Sequence, residues 1–225
     1  MQVFMYTGPS ANSPDIPPGN NPRGHPDALF QRRHDGLNRG IGFFSGWLTQ
    51  SLLVNMVFFQ CVWFLAVIGA ANGNYWLGPF SLMVFIIMHY FFSDTAKADY
   101  LLAVFAMVIG LIIETLFLRT GVLNFVGTAP SSEFAPLWVV VLWANFALIM
   151  NGCLQWLQRH LIFAALLGSS GGAVSYFAGI KLGAATTGSA MPIVLAVIAV
   201  TYALVTPVFL DAARRLSDAL QCARR

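Results

Sequence analysis

Glu114 is the one charged residue inside a long apolar run, about one turn inward from Arg119. A carboxyl at that depth costs about 2.5–3.5 kcal/mol on insertion scales, so it faces protein or a watery cavity. It can bind a proton or contact a substrate. It can also be a structural acid near the outer interface, protonated or neutralised by Arg119 or Lys181. Three amides, Asn145, Asn151 and Gln155, sit on another apolar run, the last two one turn apart on a shared face. Amides in hydrocarbon need partners, and interhelical hydrogen bonds of about 0.6 kcal/mol are their default use. With Ser175 and Tyr176 these residues make up a candidate intramembrane polar site, placed against the glycine-bearing helices of a bundle.

Gly168, Gly172, Ser175, Gly179 and Gly183 fall at i, i+4, i+7, i+11 and i+15, on one helical face. Small residues in that pattern let a second helix approach closely. The alternative is a helix broken at Ser169-Ser170-Gly171-Gly172, with backbone groups exposed to a ligand. Packing needs no further assumption, so Gly168, Gly172, Gly179 and Gly183 are read as packing residues. Asn55, Phe59 and Trp63 form a similar stripe on the first run. His89 and His160 each lack a second ligand one turn away, so no metal site is expected. No H-E-x-x-H, Walker or G-x-G-x-x-G pattern occurs, and neither a catalytic set nor a cofactor is expected.

The elements that must hold these residues follow from composition. Of 225 residues, 57% are hydrophobic and 9% charged, with a mean hydropathy of +0.70. Soluble domains are about 25% charged, and disorder needs still more charge, so both classes are excluded for most of the chain. A net charge of +3 is too small for a nucleic-acid footprint. Cys61, Cys153 and Cys222 are odd in number and far apart, which argues against a disulfide framework.

Six apolar runs, Ser51–Ala71, Tyr75–Phe92, Tyr100–Leu118, Leu137–Leu157, Leu161–Lys181 and Met191–Leu210, are each near the ~20 residues that cross a bilayer. The backbone in lipid must bond within itself, so helices are predicted: an all-α, polytopic bundle of six transmembrane helices. Residues 1–50, with six of the eleven prolines between Pro9 and Pro26, are predicted to be a disordered cytoplasmic tail. Residues 51–210 form the transmembrane domain. Residues 211–225 form a basic cytoplasmic tail, on the inner leaflet. With the N-terminus inside, ten of the twelve Lys and Arg face the cytoplasm and only Arg119 and Lys181 face out. That bias places both termini in the cytoplasm.

Three stretches, read in order, carry a family pattern. FQ-x-x-WF occurs in Asn55–Ala71, P-L-W with a following L-W-x-x-F in Pro136–Leu157, and G-G-x-x-S-Y-x-x-G-x-x-L-G-A in Leu166–Ala184. Together they resemble bacterial inner-membrane proteins grouped as domain of unknown function 2878, over about Ser51 to Leu210. Glu114 stands where the family is expected to have aspartate, and Ala173 where it favours proline. The resemblance implies an inner-membrane location, no assigned activity and a link to lipid metabolism.

Three functions compete on these residues. A non-enzymatic partner or scaffold subunit would use the glycine face to bind other membrane proteins, with membrane lipids around it. A small carrier of a lipid or apolar solute would use Glu114 and the fourth-run amides. An intramembrane enzyme is weakest, since no second catalytic group stands at a readable spacing from Glu114. The sequence alone favours the first.

Overall fold

The computed structural model describes residues 52–127 and 133–223. The expected disordered tail lies outside them. Six α-helices carry the described chain. The first, α1 (Leu52–Ala71), stops at Asn72-Gly73-Asn74, where Gly73 takes φ +79° and the Asn74 N–H closes onto the Gly69 carbonyl at 2.8 Å. That left-handed turn suits glycine and returns the chain into α2 (Leu77–Phe92). A short polar link leads to α3 (Ala96–Arg119). Pro136 then opens α4 (Leu137–Ala147), and α5 (Leu161–Lys181) and α6 (Met191–Cys222) complete the set. Pro192 fits the first turn of α6, where its missing N–H is not needed. Four of these helices, α1, α3, α5 and α6, are long and apolar enough to cross a membrane, while α2 and α4 are shorter.

The fourth apolar run departs most from expectation. It is predicted to be one helix from Leu137 to Leu157, but α4 ends at Ala147 after 11 residues. Turns follow, then a 3-10 helix at Gln155–Arg159. Trp138, Val139, Val140, Val141, Trp143 and Ala144 are all buried. The segment is therefore the hub of the bundle, packed on several sides by protein. Irregular backbone can lie at membrane depth when protein surrounds it and satisfies it. Here the Gln158 amide donates to the Met150 carbonyl at 3.2 Å and Asn55 donates to Leu148 O at 3.5 Å. The break considered for the fifth run does not occur there, because α5 is continuous through Ser169–Gly172.

Two smaller differences concern the ends. A two-stranded antiparallel ribbon joins β1 (Leu123–Phe125), after α3, to β2 (Ala185–Thr187), after α5, with Asn124 opposite Thr186. Both segments lie between the apolar runs. Trp138 at the start of α4 donates to Val126 O at 2.8 Å and ties the hub to this ribbon. At the other end, α6 runs on as one helix past Leu210, so the described part of the basic tail continues it. Asp211 there accepts from Arg214 at 2.8 Å and Arg215 at 2.6 Å.

Candidate functional site

One face of α3 is buried along its length: Asp99, Leu102, Ala103, Ala106, Gly110, Glu114 and Phe117. This is the i, i+3, i+4, i+7 stripe of a helix packed on one side, with an acid near each end. The two acids, fifteen residues apart, are separated by about 22 Å of helix. Each one organises a polar cluster.

Glu114 is fully buried. The Trp143 indole N–H of α4 donates to Glu114 Oε1 at 2.9 Å, and the Tyr176 hydroxyl of α5 donates to the same oxygen. Tyr176 and Tyr202 of α6 hold their hydroxyls 3.2 Å apart. Oε2 has no hydrogen-bond partner among the described residues. Four helices thus meet at one carboxyl. Two glycines make the approach possible. A Cβ at Gly110 would overlap the Trp143 ring, and one at Gly172 would stand 2.6 Å from Tyr202 Cγ. Trp143 leans on Tyr202, with ring centroids 5.2 Å apart, and meets Phe209 edge-on.

Neither cation considered for Glu114 pairs with it. Arg119 turns outward to Glu133 at 3.3 Å, both side chains exposed, and the Lys181 ammonium lies 5.5 Å over the Phe177 ring. Among the described residues Glu114 makes no ion pair.

The six sequence-derived candidates do not form one site. Glu114 and Tyr176 meet. Ser175 accepts from the Trp63 indole at 2.8 Å and pins α5 to α1. Asn145 donates to Phe59 O at 3.0 Å, and its Oδ1 has no partner among the described residues. Asn151 belongs to the second cluster, at Asp99, and Gln155 is exposed at that end of the bundle. Among the glycines, Gly168 and Gly172 face Thr206 and Tyr202, and a Cβ added at Gly179 or Gly183 would stand 4.0 Å from Val67 or Ala71 of α1.

The second cluster was not anticipated. Asp99 is fully buried and accepts from His89 Nε2 at 2.8 Å, Asn151 at 2.7 Å, and the Ser93 and Thr95 hydroxyls at 2.9 Å each. Asn55 of α1 donates to His89 Nδ1 at 3.3 Å, and Gln158 donates to Asn151 Oδ1 at 2.7 Å. One signal was available: His89 and Asp99 are each five residues from Asp94, the centre of the α2–α3 hairpin. Antiparallel helices bring such positions level with each other. Spacing along one helix does not reveal it, because His89 lies on α2 and Asp99 on α3.

Chemically, the Glu114 cluster offers a carboxyl with one oxygen held by two donors and the other open to a proton. At the other end, Asp99 fixes the His89 ring with Nδ1 turned toward Asn55. Among the described residues, no three His, Cys, Asp or Glu side chains gather to hold a metal ion. No curated protein and no solved structure matches the chain. The family described as Protein of unknown function (DUF2878) matches residues 52–208, from the start of α1 into α6, and the chain belongs to that family.

Proposed function

We propose that this chain is a small proton-linked carrier of a lipid or apolar solute, crossing the bacterial inner membrane six times with both termini cytoplasmic. The observation that carries the reading is Glu114: a fully buried carboxyl, bonded to α4 and α5 and through Tyr176 linked to α6, with, among the described residues, no cation paired to it and no partner on one oxygen. A structural acid would be expected to keep its cation close. A coupling acid needs an open oxygen and neighbours that can pass a proton, which Tyr176 and Tyr202 provide.

Two supports favour six crossings over the four long helices alone. The sixteen residues of α2 cover about 24 Å. The chain from Ala135 to Gln158 follows α3 from Thr115, whose hydroxyl accepts the Ala135 N–H, down to Asp99, again about 24 Å. The ten-to-two division of basic residues then sets the orientation.

The scaffold reading depends on a small-residue face left open for a partner. On α5 that face lies against α6 at the buried Gly168 and Gly172, and the half-buried Gly179 lies beside α1, while Gly183 falls past the end of α5 in an exposed turn at φ +88°. Carriage therefore stands ahead of scaffolding.

The test uses purified protein in phosphatidylethanolamine–phosphatidylglycerol vesicles with tail-labelled lysophosphatidylethanolamine as probe. Wild type is expected to speed transbilayer movement of the probe, more so under a pH gradient. Glu114→Gln should remove the gradient dependence while the protein stays folded. Equal gradient dependence in both proteins, or no movement with wild type, would contradict the reading.

A further inference from the structure

A cavity of about 180 Å³ opens beside the Asp99 cluster, between α1, the α2–α3 hairpin and the irregular stretch after α4. Its walls are of two kinds. Phe58, Phe85, Met88 and Phe92 line it with hydrocarbon, and Leu52 and Phe92 are exposed on the outer surface. Asn55, His89, Asn151, Gln155 and Asp94 supply polar groups. A lining half apolar and half hydrogen-bonding fits a molecule with both characters.

The polar half also selects by charge. Among the described residues it contains a carboxylate, Asp94, and no lysine or arginine, with the buried carboxyl of Asp99 directly behind His89. An anionic head here would be desolvated beside acids with no cation to offset the cost. With Nε2–H given to Asp99, Nδ1 of His89 is an acceptor whose one partner among the described residues, the Asn55 amide, is a long 3.3 Å away. Acceptors call for a ligand that donates.

We propose that this cleft binds a single-chain amphiphile with a hydrogen-bond-donating, non-anionic head, a hydroxyl or an ammonium, its tail lying along Phe58, Phe85, Met88 and Phe92. The site is separate from Glu114, and binding to it is measured without transport, so it stands or falls apart from the proton-linked reading.

The test is photolabelling of the full-length protein in nanodiscs with decanol carrying a diazirine at the tail end, followed by peptide mapping. Four competitors are compared at about pH 8, where a carboxylic acid is ionised: decanol, decylamine, decanoate and decyl phosphate. Label is expected within residues 52–58 and 85–95, with decanol and decylamine displacing it at concentrations about tenfold lower than the two anions. Gln155→Lys, at an exposed position that should not disturb folding, adds a cation to the lining and should narrow that gap to about threefold or less. Equal competition by all four in the wild type, or label spread over the lipid-facing surface, would overturn the proposal.

Discussion

Asp99→Ala is expected to destabilise the protein by about 3–5 kcal/mol, in line with the loss of two hydrogen bonds to a carboxylate at about 1.5–3 kcal/mol each. Asp99 accepts four hydrogen bonds while itself fully buried. Without it, the buried His89 ring and the half-buried Asn151 amide lose their acceptor. Ser93 and Thr95 are only half-buried and can turn to water, so their donors add little. His89 comes from α2 and Asn151 from the stretch after α4, so the loss loosens three segments at once. In detergent this should lower Tm by about 6–20 °C. Asp211→Ala, which breaks only exposed pairs with Arg214 and Arg215, should leave Tm unchanged. Equal Tm values for the two variants would mean that the Asp99 network does not hold the hairpin.

Gly110→Leu is expected to be the second large effect. Even a methyl group at this position overlaps the Trp143 ring, and Trp143 is 2% exposed. Leucine gains up to about 1 kcal/mol in helix propensity over glycine, whereas overpacking a closed core costs about 1–3 kcal/mol. Steric cost wins, because the indole has no free space to enter without leaving Glu114. Gly171→Leu makes the same exchange on α5, where nothing lies within 4 Å, and should be neutral or stabilising. Besides the Tm difference, exchange of the Trp143 indole proton should accelerate in Gly110→Leu as its bond to Glu114 opens. Unchanged exchange would show that the ring does not depend on Gly110.

The helices and tight turns were legible because hydropathy and turn chemistry are local. Asn72-Gly73-Asn74 must reverse the chain, and it does. Glu114 was legible because a lone charge in hydrocarbon stands out, and Tyr176 because it lies on the glycine-rich helix. The buried role of α4 was not. Lipid tails are as apolar as leucine, so Leu137–Leu157 looks the same whether it faces lipid or protein. Nor does hydropathy mark where Ala147 ends the helix, because the turns that follow are stabilised by side chains outside the helical repeat, Asn55 of α1 and Gln158 of the 3-10 helix. The Asp99–His89 pair was hidden because helical periodicity compares residues within one element, and this pair spans two. LNF and ATT, at three residues each, are too short to show strand alternation.

A carrier must at some point bring water to Glu114, and that access can be measured directly. With Cys61, Cys153 and Cys222 replaced by serine, Glu114→Cys is reconstituted in sealed vesicles and exposed to a membrane-impermeant methanethiosulfonate on one side at a time. Modification from one face, shifting to the other when the pH gradient is reversed, is the expected result. A thiol that stays unmodified from both faces under every gradient, in a folded protein, would make Glu114 a dry structural acid and contradict the carrier reading.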